Sequence, residues 1–429
     1  MSDASKLAML GGKPAITITE PEQWRFDTEK ALGLIRRIVE DQAISGTGEG
    51  IPGEFEDRFR QYTGAAYCVT SAHGSDALAS AFYAAYVGPG DEIITPVAGY
   101  LGSFAGALHL GARPVFCEAD PETLLMDPAD VEARITPSTR AINPIHMHGN
   151  VCDLDALMAI GRKYGVTIVE DGAHVHGAEW DGKRVGNVGD VCCFSLQGTT
   201  PGGKPVAAGE GGVLTTNDRA IYERQLIYCH LHRKGITDEL TMPEYRMLEA
   251  QVLGYKWRAH PLALAIGLVS LESLDYRIRR SGEYREAINA AVRELPGLTP
   301  AKVHPKAKRV SLYGGFEIIY DAEAYGGLPA TRFVQALGAE GVSARMGFGH
   351  LMHTKSLFTR GFDLWGHGRG PLGKDFKPYK WGDFPVTEDL SRRVINLHCF
   401  IDPQDGFVGQ VVDAFTKVSE GYKELLGAD

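Results

Sequence analysis

Cysteine is sparse and unpaired in this sequence. The seven residues, Cys68, Cys117, Cys152, Cys192, Cys193, Cys229 and Cys399, are odd in number, scattered, and without a pair at Cys-x-x-Cys spacing. That pattern argues against a disulfide-stapled scaffold and reads as reduced thiols of a cytosolic protein. No run of about 18 apolar residues occurs anywhere, so no membrane-spanning helix is expected. Met1 to Gly12 has no apolar segment of signal-peptide type, and a cytoplasmic location is expected. Blocks of like charge, low-complexity linkers and internal repeats are also missing. The 44 Lys and Arg and 54 Asp and Glu are interspersed and give a net charge of −10. Neither a nucleic-acid-binding face nor a polybasic membrane anchor is expected.

What remains is a long chain with substance. Its 429 residues, 44% of them hydrophobic, can bury a large core and fill two domains. From about Tyr62 to Thr216, short β-branched apolar runs alternate with turns and helical patterns, which predicts parallel strands joined by crossover helices. Expected strands are Ala66–Thr70, Glu92–Thr95, Pro114–Cys117, Ala141–Ile145, Val166–Val169, Asp190–Ser195 and Gly211–Thr216. Few polar residues interrupt them, as befits strands covered on both faces. A long helical stretch from about Pro261 to Leu295 leads to a region of strands over Arg309–Asp321, a helix over Thr331–Leu337 and one or two amphipathic helices over Asp405–Leu426. The expected fold is α/β: a large domain with a mostly parallel central sheet over residues 1–260, then a connecting helix and a smaller C-terminal α+β domain over 261–429. Gly361 to Gly382, rich in glycine and aromatics, reads as a loop or lid.

One lysine stands in an unusual setting. Lys204 lies in Gly202-Gly203-Lys204-Pro205, five residues before Gly209-Glu210-Gly211-Gly212, and the strand Asp190–Ser195 delivers it to the carboxyl edge of the sheet, where open α/β folds bind ligands. The segment Gly198 to Lys204 also satisfies Gly-x-x-x-x-Gly-Lys, the phosphate loop of nucleotide hydrolases. Pro205 then stands where that loop needs a Ser or Thr, and no helix opens after it.

An enzyme that uses pyridoxal phosphate needs a lysine to hold the aldehyde, an acid at the pyridine nitrogen, donors for the phosphate and a surface to stack on the ring. Besides Lys204, the chain offers Asp171 at a strand's carboxyl end, Gly74-Ser75-Asp76 at a helix start, and Tyr100 shortly after the strand ending at Thr95. Each also has a plain reading: Asp171 and Ser75 as helix caps, Tyr100 as an exposed loop residue. His146-Met147-His148, His174-Val175-His176 and His230-Leu231-His232 could chelate if each pair shared a strand face, yet no Cys, Asp or Glu completes a recognisable ligand set, and no metal is expected.

In order and context these residues resemble the DegT/DnrJ/EryC1/StrS family of sugar and cyclitol aminotransferases. The similarity begins at Leu10-Gly11-Gly12-Lys13-Pro14 and continues through Phe55-Glu56-Asp57-Arg58-Phe59, Gly74-Ser75-Asp76-Ala77-Leu78 and Asn143-Pro144-Ile145-His146. It is most specific at Glu170-Asp171-Gly172-Ala173-His174, at Phe194-Ser195-Leu196-Gln197 and at Lys204 before Gly209-Glu210-Gly211-Gly212. The resemblance implies the aspartate aminotransferase-like fold type I and a pyridoxal 5′-phosphate cofactor attached to Lys204, which also shuttles the proton. It further implies Asp171 at the pyridine nitrogen, Tyr100 on the ring, His174 beside the ring hydroxyl, and Gly74, Ser75 and Ser195 at the phosphate. A homodimer with its active site between subunits is implied too, as are a small amino donor and a keto substrate as partners.

Gly361-Phe362-Asp363-Leu364-Trp365 and Gly382-Asp383-Phe384-Pro385-Val386 look like the glutamine:scyllo-inosose aminotransferase branch, which points to glutamine or glutamate as donor and a keto-sugar or keto-cyclitol as acceptor. Two positions depart from the family pattern. Eight residues separate Ser195 from Lys204 where four are usual, and Lys256 occupies the place of an asparagine that reaches the neighbouring subunit's phosphate. These departures leave dehydration or other carbanion chemistry on a sugar as an alternative reaction. A regulatory or nucleotide-binding protein is the alternative outside catalysis.

Overall fold

The computed structural model describes residues 6–248 and 254–427. Seven strands form the main sheet: β1 (Tyr67–Ser71), β2 (Glu92–Pro96), β3 (Arg113–Cys117), β4 (Thr139–Ile142), β5 (Thr167–Asp171), β6 (Val191–Ser195) and β7 (Gly212–Thr216). Their spatial order is β1-β7-β6-β5-β4-β2-β3. The five strands from β6 to β3 are parallel, as the alternation of apolar runs and helical patterns predicts. Strand β7 differs, running antiparallel to both β1 and β6. Its connection from β6 is a hairpin-like excursion rather than a crossover helix, and a short return of that kind can only reverse the chain.

Both faces of the sheet are covered. On one, Cys193, Val169 and Leu214 pack with Ala77, Ala81 and Phe82 of helix α1 (Gly74–Ala84). On the other, Cys192, Phe194 and Val213 pack with Phe55, Phe59 and the first part of the long helical stretch. Adjacent strand residues thus serve opposite cores, which is why the strands read as continuous apolar runs.

The stretch expected to be one long helix is two, α2 (Pro261–Glu272) and α3 (Leu274–Arg293), meeting at Ser273. Leu264, Leu268 and Ile278 belong to the first core, whereas Tyr284, Ile288 and Val292 belong to a second. That second core lies against an antiparallel sheet of β8 (Leu298–Pro300), β9 (Phe316–Tyr320), β10 (Ala344–Met346) and β11 (Val394–Leu397), in the order β8-β9-β11-β10. Of the strand region expected over Arg309–Asp321, only Phe316–Tyr320 is regular strand within this sheet.

The N-terminal segment also enters the second core through Leu7 and Ile16. Glu340 holds it there, accepting from the Ala8 and Ala15 N–H groups at 2.7 and 2.9 Å and pairing with Lys417. The segment Gly361 to Gly382 is a loop but not a lid. Leu372 is buried beside Phe116 and Phe358, and Arg113 Nε of β3 donates to the Pro371 carbonyl at 3.3 Å, so its apolar residues fasten it to the far edge of the main sheet.

Candidate active site

The carboxyl ends of the central strands converge on one cavity of about 1240 Å³. Gly212, at the start of β7, is paired both with Ser71 at the end of β1 and with Ser195 at the end of β6. A side chain on Gly212 would collide with the His73 carbonyl, its Cβ falling 2.1 Å from that oxygen. Glycine there lets the turn into α1 close against the start of β7. Asp171 ends β5 and is paired with Cys193 of β6.

Gly74, Ser75, Tyr100, Asp171, His174, Ser195 and Lys204 all line this cavity; Lys256 does not. Lys256 is exposed, bridged through its backbone to His230, and flanked by the stacked Tyr255 and Trp257 rings.

Helix α1 begins without a side-chain cap on His73. Gly74 and Ser75 of its first turn line the cavity with Ser195, and a helix start of this kind suits an anion. A Cβ on Gly74 would lie 2.8 Å from Ser195 Cβ, so glycine is what allows the two segments to close into a cradle. Asp171 is buried; its Oδ1 accepts from the Ala173 N–H at 3.0 Å, and its other oxygen has no hydrogen-bond partner among the described residues. The Tyr100 ring rests over Gly102, where a Cβ would come within 2.5 Å of it, and its other face is open, 68% of the residue being exposed.

Lys204 reaches the cavity from the excursion between β6 and β7. Paired backbone hydrogen bonds between Gly198 and Gly209, and from Ala208 N–H to the Leu196 carbonyl at 2.8 Å, cinch that excursion. The Lys204 N–H donates to the Gln197 carbonyl at 2.9 Å. No helix follows Lys204, so the Gly-x-x-x-x-Gly-Lys sequence does not build the loop-to-helix anion site of a nucleotide hydrolase. Burial lowers the Lys204 amine to about 8, against the opposing pull of the Asp171 carboxylate.

The second sheet and the loop leading into its strand β9 contribute residues that the sequence did not reveal. Tyr313 lies under Lys204, with Nζ 3.8 Å from the ring centroid. Buried Glu317 on β9 binds Arg309 Nη2 at 2.7 Å and contacts His148 Nδ1. Arg345 stands at the cavity wall, donating to the Gly314 carbonyl at 3.1 Å.

The histidines of the three pairs differ in their surroundings. His146 is sealed between Glu170 at 2.8 Å and the Cys152 N–H at 3.1 Å. His148 lies in a 3-10 turn rather than on a strand. His176 and His230 are buried. No group of three or more metal-binding side chains occurs among the described residues.

The architecture is that of the fold type I transferases that use pyridoxal phosphate. Over residues 27–416 the chain matches the DegT/DnrJ/EryC1/StrS aminotransferase family, and it belongs to that family. It is therefore an enzyme of amino transfer. It is 34% identical to a putative L-glutamine:3-amino-2,3-dideoxy-scyllo-inosose aminotransferase of Streptoalloteichus tenebrarius, the match covering 98% of this chain and 99% of that one. To the L-glutamine:2-deoxy-scyllo-inosose aminotransferase of the same organism it is 33% identical, over 91% of this chain and 92% of that one. Among solved structures, 3-amino-5-hydroxybenzoic acid synthase superposes with a TM-score of 0.74 at 25% identity, over 95% of this chain and 98% of that one. DesI in the presence of its TDP-sugar product gives 0.76 at 25% identity, over 98% of both chains.

The cavity fits pyridoxal phosphate on its own terms. It has a half-buried lysine of lowered basicity, a buried carboxylate with an unspent oxygen, an uncapped helix start beside a serine, and an open aromatic face.

Proposed function

We propose that the chain carries pyridoxal 5′-phosphate on Lys204 and transfers an amino group from glutamine or glutamate to a keto-sugar or keto-cyclitol. The observation that carries this reading is the meeting of Lys204 and Asp171 in one cavity, close enough for the carboxylate to act on the amine. The identity of the donor and acceptor rests on the relatives' names, which describe glutamine-dependent transfer to inososes.

When bound, the cofactor supplies an aldehyde that condenses with amines and a pyridinium ring that accepts the electron pair left when a Cα–H bond breaks. The chain's own residues do the rest. The free oxygen of Asp171 holds the pyridine nitrogen protonated, so that the ring keeps its capacity for charge. Tyr100 covers the ring and fixes its plane. Gly74 and Ser75, with Ser195, hold the phosphate by N–H and hydroxyl donors at the positive end of α1. Lys204 would hold the aldehyde and, when its amine is free, would take up and return a proton at Nζ, for which its lowered basicity suits both directions near neutral pH. His174, which lines the same cavity, would serve the ring hydroxyl.

In this reading the protein is a cytoplasmic homodimer, and the exposed Lys256 faces the partner's phosphate from outside its own cavity. A lysine can serve there as a point charge where asparagine would donate a directed hydrogen bond.

A screen of half-reactions tests the assignment. Glutamine or glutamate, added to cofactor-loaded protein, is expected to bleach the near-visible band and release one keto acid per site. Retention of the band with every amino acid, together with water release from a keto-sugar, supports the second reading instead, dehydration or other carbanion chemistry. The eight-residue excursion between Ser195 and Lys204 is what favours that alternative.

A further inference from the structure

His148 is one of few non-glycine residues with a left-handed backbone, at φ 49°. Side chains avoid this region because Cβ crowds the following carbonyl, at a cost that must be met elsewhere. Here the backbone N–H, the carbonyl and the ring Nδ1 of the residue are all tied down. Its ring Nδ1 contacts Glu317 Oε1, its carbonyl accepts from Arg309 Nη2 at 3.0 Å, and its N–H donates to His174 Nδ1 at 3.1 Å. Gly149 follows, also at positive φ, with its carbonyl accepting from the Val310 N–H at 3.0 Å. The two imidazole rings lie nearly parallel, their centroids 5.9 Å apart.

The bond between His148 N–H and His174 Nδ1 has a chemical consequence. A backbone N–H only donates, so His174 Nδ1 must be the unprotonated nitrogen. We propose that His148 is a positioning residue: held left-handed by Glu317 and Arg309, it fixes His174 as the Nε2–H tautomer and so presents a hydrogen-bond donor to the cavity. Burial, and then the positive charge of Lys204, lower the basicity of His174 and favour the neutral ring this requires. On the reading of the preceding section, on which this last step rests, that donor would be offered to the phenolic oxygen of a bound cofactor. A donor there stabilises negative charge on that oxygen, which then competes less well for the proton it shares with the lysine-bound nitrogen.

The tautomer can be read without cofactor. Protein labelled with 15N in histidine gives two-bond proton–nitrogen correlations in which Nε2 couples to both ring protons and Nδ1 chiefly to one. The His174 signals are those missing from His174→Gln. In the apoprotein, a protonated Nε2 and a bare Nδ1 are expected; a protonated Nδ1 or an averaged pair overturns the proposal.

His148→Asn, a residue type that tolerates left-handed backbone, is expected to keep this pattern. His148→Val, or Glu317→Gln should the valine variant fail to fold, is expected to give a tautomer mixture. An unchanged tautomer in whichever of these two variants is read removes His148 from the role. With cofactor bound, the pKa of the near-visible band is expected to rise by about one to two units in His174→Phe and to stay near wild type in His174→Gln. If the apoprotein shows the Nε2–H tautomer and the band ignores both substitutions, His174 does not face the cofactor, whereas absence of any band overturns the cofactor assignment itself.

Discussion

Lys204 Nζ lies 3.8 Å from the centroid of the Tyr313 ring. Half-buried, the ammonium has lost much of its water, and the negative face of the ring is the compensation at hand. Burial nevertheless leaves the amine at about 8. The neutral amine is the nucleophile, so uptake of pyridoxal phosphate by the apoprotein should accelerate as pH rises through about 8 rather than through the ordinary lysine range. Tyr313→Leu withdraws a stabiliser of the charged form, worth about 0.5–1 kcal/mol, and should move that midpoint down by less than about one pH unit. Stopped-flow growth of the near-visible band across pH measures both. A midpoint near 10 in the wild type would show that Lys204 is solvated.

Asp171→Asn should retain the cofactor band while losing amino transfer by about 10²-fold or more, since a neutral amide cannot hold the pyridine nitrogen protonated. The same change removes the carboxylate that supports the charged lysine, so the wild-type midpoint for cofactor uptake should fall as well. Near wild-type turnover in Asp171→Asn would place the essential acid elsewhere.

Gly74→Ala should weaken cofactor binding by about tenfold or more, because the added Cβ would stand 2.8 Å from Ser195 Cβ and pry the cradle apart. Titration of the apoprotein with pyridoxal phosphate, followed by absorbance, reports it. Unchanged affinity would mean that the start of α1 does not contact the phosphate.

Glu317 is buried, and although burial alone would raise its pKa, Arg309 and then His148 bring it down to about 2. A carboxyl whose folded pKa is depressed adds stability that is fully present above its unfolded pKa, near 4.3, and is lost as pH falls toward 2. The contribution is on the order of 3 kcal/mol. Glu317→Gln should therefore be markedly less stable than wild type at pH 7, and the gap should narrow between about pH 5 and pH 2. Chemical denaturation at a series of pH values checks it; a gap independent of pH would mean that the carboxylate's charge is not what matters.

Strand periodicity and local chemistry made the main sheet readable, and they brought Asp171, Ser195, Gly74 and Tyr100 to one edge by chain order alone. The direction of β7 was not readable, because Gly212–Thr216 has the same β-branched character in either direction and only the hairpin-like excursion before it decides. Ser273 gave little sign of a break, since the helical pattern on both sides runs through it. Tyr313 and Glu317 are more than 100 positions beyond Lys204; Tyr313 lines the cavity and Glu317 contacts His148 only because the C-terminal part of the chain packs against it, a tertiary event with no local signal. His148 was visible as a histidine but not as a left-handed residue, for the contacts that hold it come from Glu317 and Arg309. The loop Gly361–Gly382 lacked periodicity, which identified it as a loop and gave no hint of which surface its buried Leu372 would seek.

The central claim is that Lys204 carries the cofactor. Reduction of cofactor-loaded protein with borohydride, followed by proteolysis and mass spectrometry, tests it most directly. A pyridoxyl adduct on the peptide containing Lys204, absent from Lys204→Ala protein, is the result expected; an adduct on another lysine, or none, would contradict it.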